Sequence, residues 1–102
     1  STSRGWTQAQ LAFAREVQLP VIIATQSELR GRLIRAMGES PEREREGRDT
    51  LNGLENSLKV QLGRQRALND PAFSATLAQR EADLRQRSAG TAAIGDPWSD
   101  VE

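Results

Sequence analysis

The 102-residue sequence contains no cysteine, no histidine and no tyrosine. Without cysteine there is no disulfide, no thiolate nucleophile and no zinc finger. Without histidine there is no imidazole to act as general base within the chain. Aromatic residues make up only 4% of the chain, two Trp and two Phe, too few for a sheet that stabilises itself through aromatic and β-branched cross-strand pairs. Fourteen basic and fourteen acidic residues cancel, so no net field draws the chain toward nucleic acid or anionic lipid. The longest apolar run, 19–24, is far shorter than the roughly 20 residues that cross a bilayer. No basic start followed by an apolar core marks a leader, which leaves the compartment open if the chain is a piece of a longer protein. No cofactor, no metal, no nucleic acid and no membrane is therefore expected as a partner.

What is present is helix-forming. Eleven Leu and thirteen Ala stand among interleaved charges. Twenty-four large apolar side chains are a modest supply, each worth about 1.5–3 kcal/mol when fully buried. The conformational entropy of a domain this size costs on the order of 100–200 kcal/mol, so packing against something further would help it.

Trp6-Thr7-Gln8-Ala9-Gln10-Leu11 reads as a helix start: Thr7 caps, Gln10 completes a capping box, and Trp6 and Leu11 stand at the staple positions. Pro20 marks a boundary, giving a first helix at about 8–18 and a second at 21–37 that carries Ile22, Leu29, Leu33 and Met37 and stops at Gly38. Ser40-Pro41 offers an N-cap and a first helical proline, with Glu42, Glu44 and Glu46 near the positive end of the helix dipole. The third helix, 41–68, bears a stripe of Leu51, Leu54, Leu58 and Leu62 and ends at Asn69-Asp70-Pro71. Asp70 caps a fourth, 71–87, whose buried face holds Phe73, Leu77 and Leu84. Residues 88–102 read as a loop followed, at Asp96-Pro97, by the start of a helix that is cut short. The fold class is all-α: an antiparallel hairpin or up-down bundle of three to four helices with an irregular C-terminal tail, in a single domain over 1–102.

Little in the chain carries chemistry. The acids alternate with arginine, as in Glu42-Arg43-Glu44-Arg45-Glu46, which describes a solvated face rather than a metal site. The one lysine, Lys59, lies two residues from Ser57 on the same helix, which points the two side chains about 200° apart and excludes a Ser-Lys dyad. The thirteen arginines are spread among acids, and Glu28 with Arg32, Glu44 with Arg48, and Glu81 with Arg85 are spaced for pairing along a helix surface.

One feature of the third helix stands out. Gly53 and Gly63 lie inside it, each costing about 1 kcal/mol relative to alanine. With Asn56, Val60 and Ala67 they recur at spacings of three and four and form a small-residue strip beside the leucine strip. Such a strip lets another backbone or a ligand approach closely. Spacing alone favours close helix packing with Asn56 hydrogen-bonded inside it, and leaves ligand approach as the other reading.

The run Gly53-Leu54-Glu55-Asn56-Ser57-Leu58-Lys59 followed by Gly63, together with the Leu19-Pro20 helix start and Gly95-Asp96-Pro97-Trp98, resembles the inserted helical domain of bacterial serine dipeptidyl-peptidases of the seven and eleven types. The resemblance runs from about Leu11 onward. It implies a fragment of a larger, periplasmic or secreted peptidase whose catalytic triad lies in chymotrypsin-like β-barrels outside these residues, so the fragment alone should be inert. It further implies that the helical domain roofs the cleft, and that Asn56 contacts the free ammonium group of the peptide substrate, with Gly53, Lys59 and Gly63 supporting that face. Lys59 is expected to pair with an acid or cap a contact rather than touch substrate. Family members often carry an aromatic residue where this chain has Val60 or Gln61. The alternative is a self-contained helical interaction module, such as a homodimer joined through the Leu51 to Leu62 stripe.

Overall fold

The computed structural model describes residues 6–87, 94–99 and 101–102. The first helical arm starts where its capping box requires. The Thr7 hydroxyl accepts from the Gln10 N–H at 3.1 Å, and the Thr7 N–H donates to the Gln10 side-chain carbonyl at 2.8 Å. Helix α1, Gln8–Phe13, does not end before Pro20. It runs through a π-helical segment, Ala14–Gln18, directly into α2, Leu19–Met37. This corrects the expected division into helices 8–18 and 21–37. The Leu19 N–H reaches back five residues to the Ala14 carbonyl. This wide turn lies immediately before Pro20, so the arm absorbs a residue with no N–H to donate by local unwinding instead of breaking.

Gly38 caps α2, and a three-residue turn leads to Ser40, whose hydroxyl accepts from the Arg43 N–H at 3.0 Å and starts α3, Pro41–Leu68. Asp70 accepts from the Ala72 N–H at 3.0 Å at the head of α4, Pro71–Arg87. The surface pairs Glu28–Arg32, Glu44–Arg48 and Glu81–Arg85 all form. The fold is all-α, as expected, and the described residues contain no strand.

The short turn makes α2 and α3 antiparallel neighbours along nearly their whole length. Cross-helix bonds fix the register: Gln26 Nε2 donates to Ser57 Oγ at 3.0 Å, Arg30 pairs with Glu55 at 2.7 Å, and Met37 lies against Gly47 near the tip. Helix α4 touches only the base of this hairpin. The molecule is accordingly long and thin, 60 × 29 × 20 Å. Its radius of gyration is 18.1 Å, against about 13 Å for a compact 100-residue domain.

Two paired helices can shield only one stripe of each other, so burial is concentrated where a third layer exists. Leu11, Ala14 and Leu19 of the first arm meet Leu68, Leu77, Ile94 and Trp98 at the base. The tail thus supplies core residues. The Ile94 N–H donates to the Trp6 carbonyl at 2.7 Å, and the two indoles meet edge to face with centroids 5.7 Å apart. Arg64 of α3 lies 4.9 Å above the Trp98 ring and pairs with Glu102, Nη2 donating to Oε1 at 2.9 Å. Gly95 adopts φ +66, a value that asks for glycine. The turn at Trp98 is closed by N–H bonds from Val101 and Glu102 to the Trp98 carbonyl, and Asp96 accepts from the Trp98 N–H at 3.0 Å. The loop expected over 88–93 lies outside the described residues.

Candidate functional site

The candidate site is the exposed flank of α3. At about 1.5 Å per residue, the 28 residues of this helix span some 42 Å and carry one continuous face past the leucines that pack on α2. Asn56 stands near its middle. Its side chain is exposed and makes no hydrogen bond to any other described residue, so the amide keeps its donors and its carbonyl for a group from outside. Val60, one turn on, is 36% exposed, and Ala67 is half-buried.

Gly53 and Gly63 border this face, and a Cβ built on either meets nothing within 4 Å. Spacing alone favoured packing by a neighbouring helix here; among the described residues no such helix is found, and the strip lies open. The glycine that does serve close packing is Gly47, which spacing did not single out. A Cβ there would come 2.7 Å from Met37 Cγ, 2.9 Å from its Sδ and 3.2 Å from Leu33 Cδ1. The signal was available: a three-residue turn after residue 37 folds position 47 back toward Leu33 and Met37.

Lys59 is exposed and does not form the expected pair with an acid. Glu55, one turn before it, is engaged by Arg30 from α2. Lys59 instead lines a groove of about 270 Å³ on the α2–α3 seam together with Arg30, Glu55, Leu58, Leu62 and Arg66. Ser57 points into the helix pair, where its hydroxyl accepts from Gln26, so it is tied as a structural group and has no base beside it. The Gln26 carbonyl oxygen is buried without a partner.

Among the described residues no three acidic side chains converge as a metal site, and no helix is long and apolar enough to cross a membrane. Among the described residues the titrations moved by their surroundings lie at the base. The Glu102 carboxyl is held below the ordinary carboxylate range, chiefly by its hydrogen bond from Arg64, and Arg64 is correspondingly raised. What the α3 flank can do is bind: it offers an unpaired amide with Gly53 one turn before it and Val60 one turn after it.

The family model for peptidase S46 matches residues 1–102. The chain belongs to the peptidase S46 family, the family of dipeptidyl-peptidases of the seven and eleven types. No curated protein and no solved structure matches it. An all-helical S46 chain is consistent with an inserted domain of that family. The match supports a dipeptidyl-peptidase-related domain.

Proposed function

We propose that these residues form the substrate-gating helical domain of a periplasmic or secreted serine dipeptidyl-peptidase, and that Asn56 receives the free N-terminus of the peptide. The observation that carries this reading is the exposed, unpaired Asn56 between Gly53 and Gly63, in a chain whose whole length is matched by the S46 family. An amide carbonyl accepts a hydrogen bond from an ammonium without the desolvation cost of a second charge, and its position on a rigid helix measures where the peptide begins. The glycines keep methyl groups out of the path of the peptide backbone. The reacting groups belong to the β-barrel domains of the same polypeptide, and this helical domain alone is inert.

In this reading the apolar stripe Phe13, Val17 and Val21, from 43% to 59% exposed, docks against those barrels. A thin hairpin with its apolar residues half-covered is a poor independent domain and a suitable roof over another.

The test is Asn56→Ala in the intact peptidase. A hydrogen bond to a charged group is worth about 1.5–3 kcal/mol, so kcat/KM for dipeptide release should fall roughly ten- to hundredfold. Acylation by a small active-site-directed inhibitor that lacks a peptide N-terminus should be unchanged. Dipeptide kinetics equal to wild type would remove Asn56 from the site.

A further inference from the structure

The groove on the seam of α2 and α3 has a composition that the gating role of Asn56 does not use. Its floor is Leu58 and Leu62, and its walls hold three cations, Arg30, Lys59 and Arg66, against one carboxylate, Glu55. Arg30 and Glu55 satisfy each other at 2.7 Å. Lys59 and Arg66 are exposed, and neither pairs with an acid among the described residues. An excess of two positive charges thus sits on one groove of a chain whose formal charge is zero. Elsewhere on these helices Arg32, Arg43, Arg48 and Arg85 each find an acid one turn away.

Spacing makes the pair more specific. Residues 59 and 66 are seven apart, two helical turns on one face, about 10 Å along the axis. Leu62 lies between them, and Leu58 lies immediately before Lys59. Helices α2 and α3 form a two-helix layer with a half-covered leucine seam, and α4 reaches only its base. Such a layer is completed by a third helix laid along the seam, which buries the leucines and turns the hairpin into a bundle. The charges state what that helix must carry.

We propose that this groove seats an acidic amphipathic helix of a partner polypeptide, with two carboxylates about two turns apart answering Lys59 and Arg66 and an apolar side chain between them packing on Leu58 and Leu62. An inorganic or lipid phosphate would leave the leucine floor unmatched. A basic helix would meet two uncompensated cations.

The probe is a fluorescein-labelled 14-residue helical peptide with Leu at positions 7 and 8 and Glu at positions 4 and 11, compared with the same peptide bearing Lys at 4 and 11. Fluorescence anisotropy is read against the full chain at low and moderate salt, with sizing of the chain alone in parallel. The acidic peptide is expected to bind saturably, at least tenfold more tightly than the basic one and more weakly as salt rises. The double variant K59E/R66E should lose at least tenfold for the acidic peptide and gain for the basic one. Both positions are exposed, so its circular dichroism should match wild type. Equal binding of the two peptides, no binding of either, or indifference to the charge reversal overturns the proposal. So does a chain that is itself dimeric and becomes monomeric in K59E/R66E, since a second copy would then be the occupant. Asn56→Ala should leave peptide capture unchanged, so failure here and failure of the gating role are read separately.

Discussion

Three glycines in one helix should respond to alanine with opposite signs, and the direction at each follows from what surrounds it. In a helix interior alanine is favoured over glycine by about 1 kcal/mol, so where a methyl group has room the substitution stabilises. At Gly53 and Gly63 nothing lies within 4 Å of the new Cβ, and each variant should gain close to that amount. At Gly47 the methyl would stand 2.7 Å from Met37 Cγ, an atom near the backbone end of its side chain, and 3.2 Å from Leu33 Cδ1. Relief requires a new Met37 rotamer or a parting of α2 from α3, and overpacking of this kind costs about 1–3 kcal/mol. Set against the same helical gain, Gly47→Ala should be neutral to destabilising by about 2 kcal/mol. For a domain of this size 1 kcal/mol corresponds to a shift of roughly 4–8 °C in Tm. Thermal unfolding followed at 222 nm should therefore place Gly53→Ala and Gly63→Ala above wild type and Gly47→Ala at or below it. A Gly47→Ala variant as stable as Gly53→Ala would show that the hairpin is looser at its tip than described. The gating proposal adds a second readout: in the intact peptidase the stabilised Gly53→Ala variant should lose dipeptide activity, because the methyl enters the peptide's path.

The docked tail should respond to acid. Its Glu102 carboxyl is held below the ordinary range by Arg64, so the bond contributes stability at and above that range and loses it as pH falls through the lowered value. The fluorescence of buried Trp98 should therefore change below the ordinary carboxylate range in wild type, and Arg64→Ala should abolish that pH step. Ser57→Ala should destabilise by about 1 kcal/mol or somewhat more in urea unfolding, because it leaves Gln26 Nε2 without the acceptor it now uses while Gln26 Oε1 is already unpartnered. A neutral Ser57→Ala would mean that water already serves that amide.

Local signals were legible because each depends on residues a few positions apart. Thr7 with Gln10, Ser40 before Pro41, and Asp70 before Pro71 all set helix starts, and Gly38 and Asn69 set ends. Pro20 misled because the cost of proline in a helix assumes a regular ladder, and one π-helical turn before it changes the ladder. The tail was legible only as punctuation. Gly95, Asp96 and Pro97 read as a turn and a cap, but that Ile94 and Trp98 belong to the core depends on Trp6, some ninety residues away, and on Arg64. No periodicity in a short segment reveals a partner at that distance. The candidate site divides the same way. The small-residue strip was visible from spacing, whereas its openness, the bond between Arg30 and Glu55, and the isolation of Lys59 required the two helices to be set side by side.

The shape of the chain ties these observations together. A hairpin with nearly all its deeply buried apolar residues at one end has a rigid base and a long arm whose sides are left half-covered. Self-sufficient stability would favour a leucine where Gln26 stands, a methyl group at Gly53 and Gly63, and an acid free to pair with Lys59, since Glu55 is taken by Arg30. Two of these features cost something in isolation, a half-satisfied amide and two glycines inside a helix, and the third leaves an exposed ammonium without an acid among the described residues. Natural sequences accept such costs where another surface must approach. The glycine costs lie on the flank of Asn56 and the unpaired cations on the neighbouring seam, and under the two proposals α3 is a beam with two working faces. Separating them experimentally rests on Asn56→Ala, which should fail in dipeptide release and not in capture of the acidic helix, because Lys59, one turn from Asn56, borders both faces.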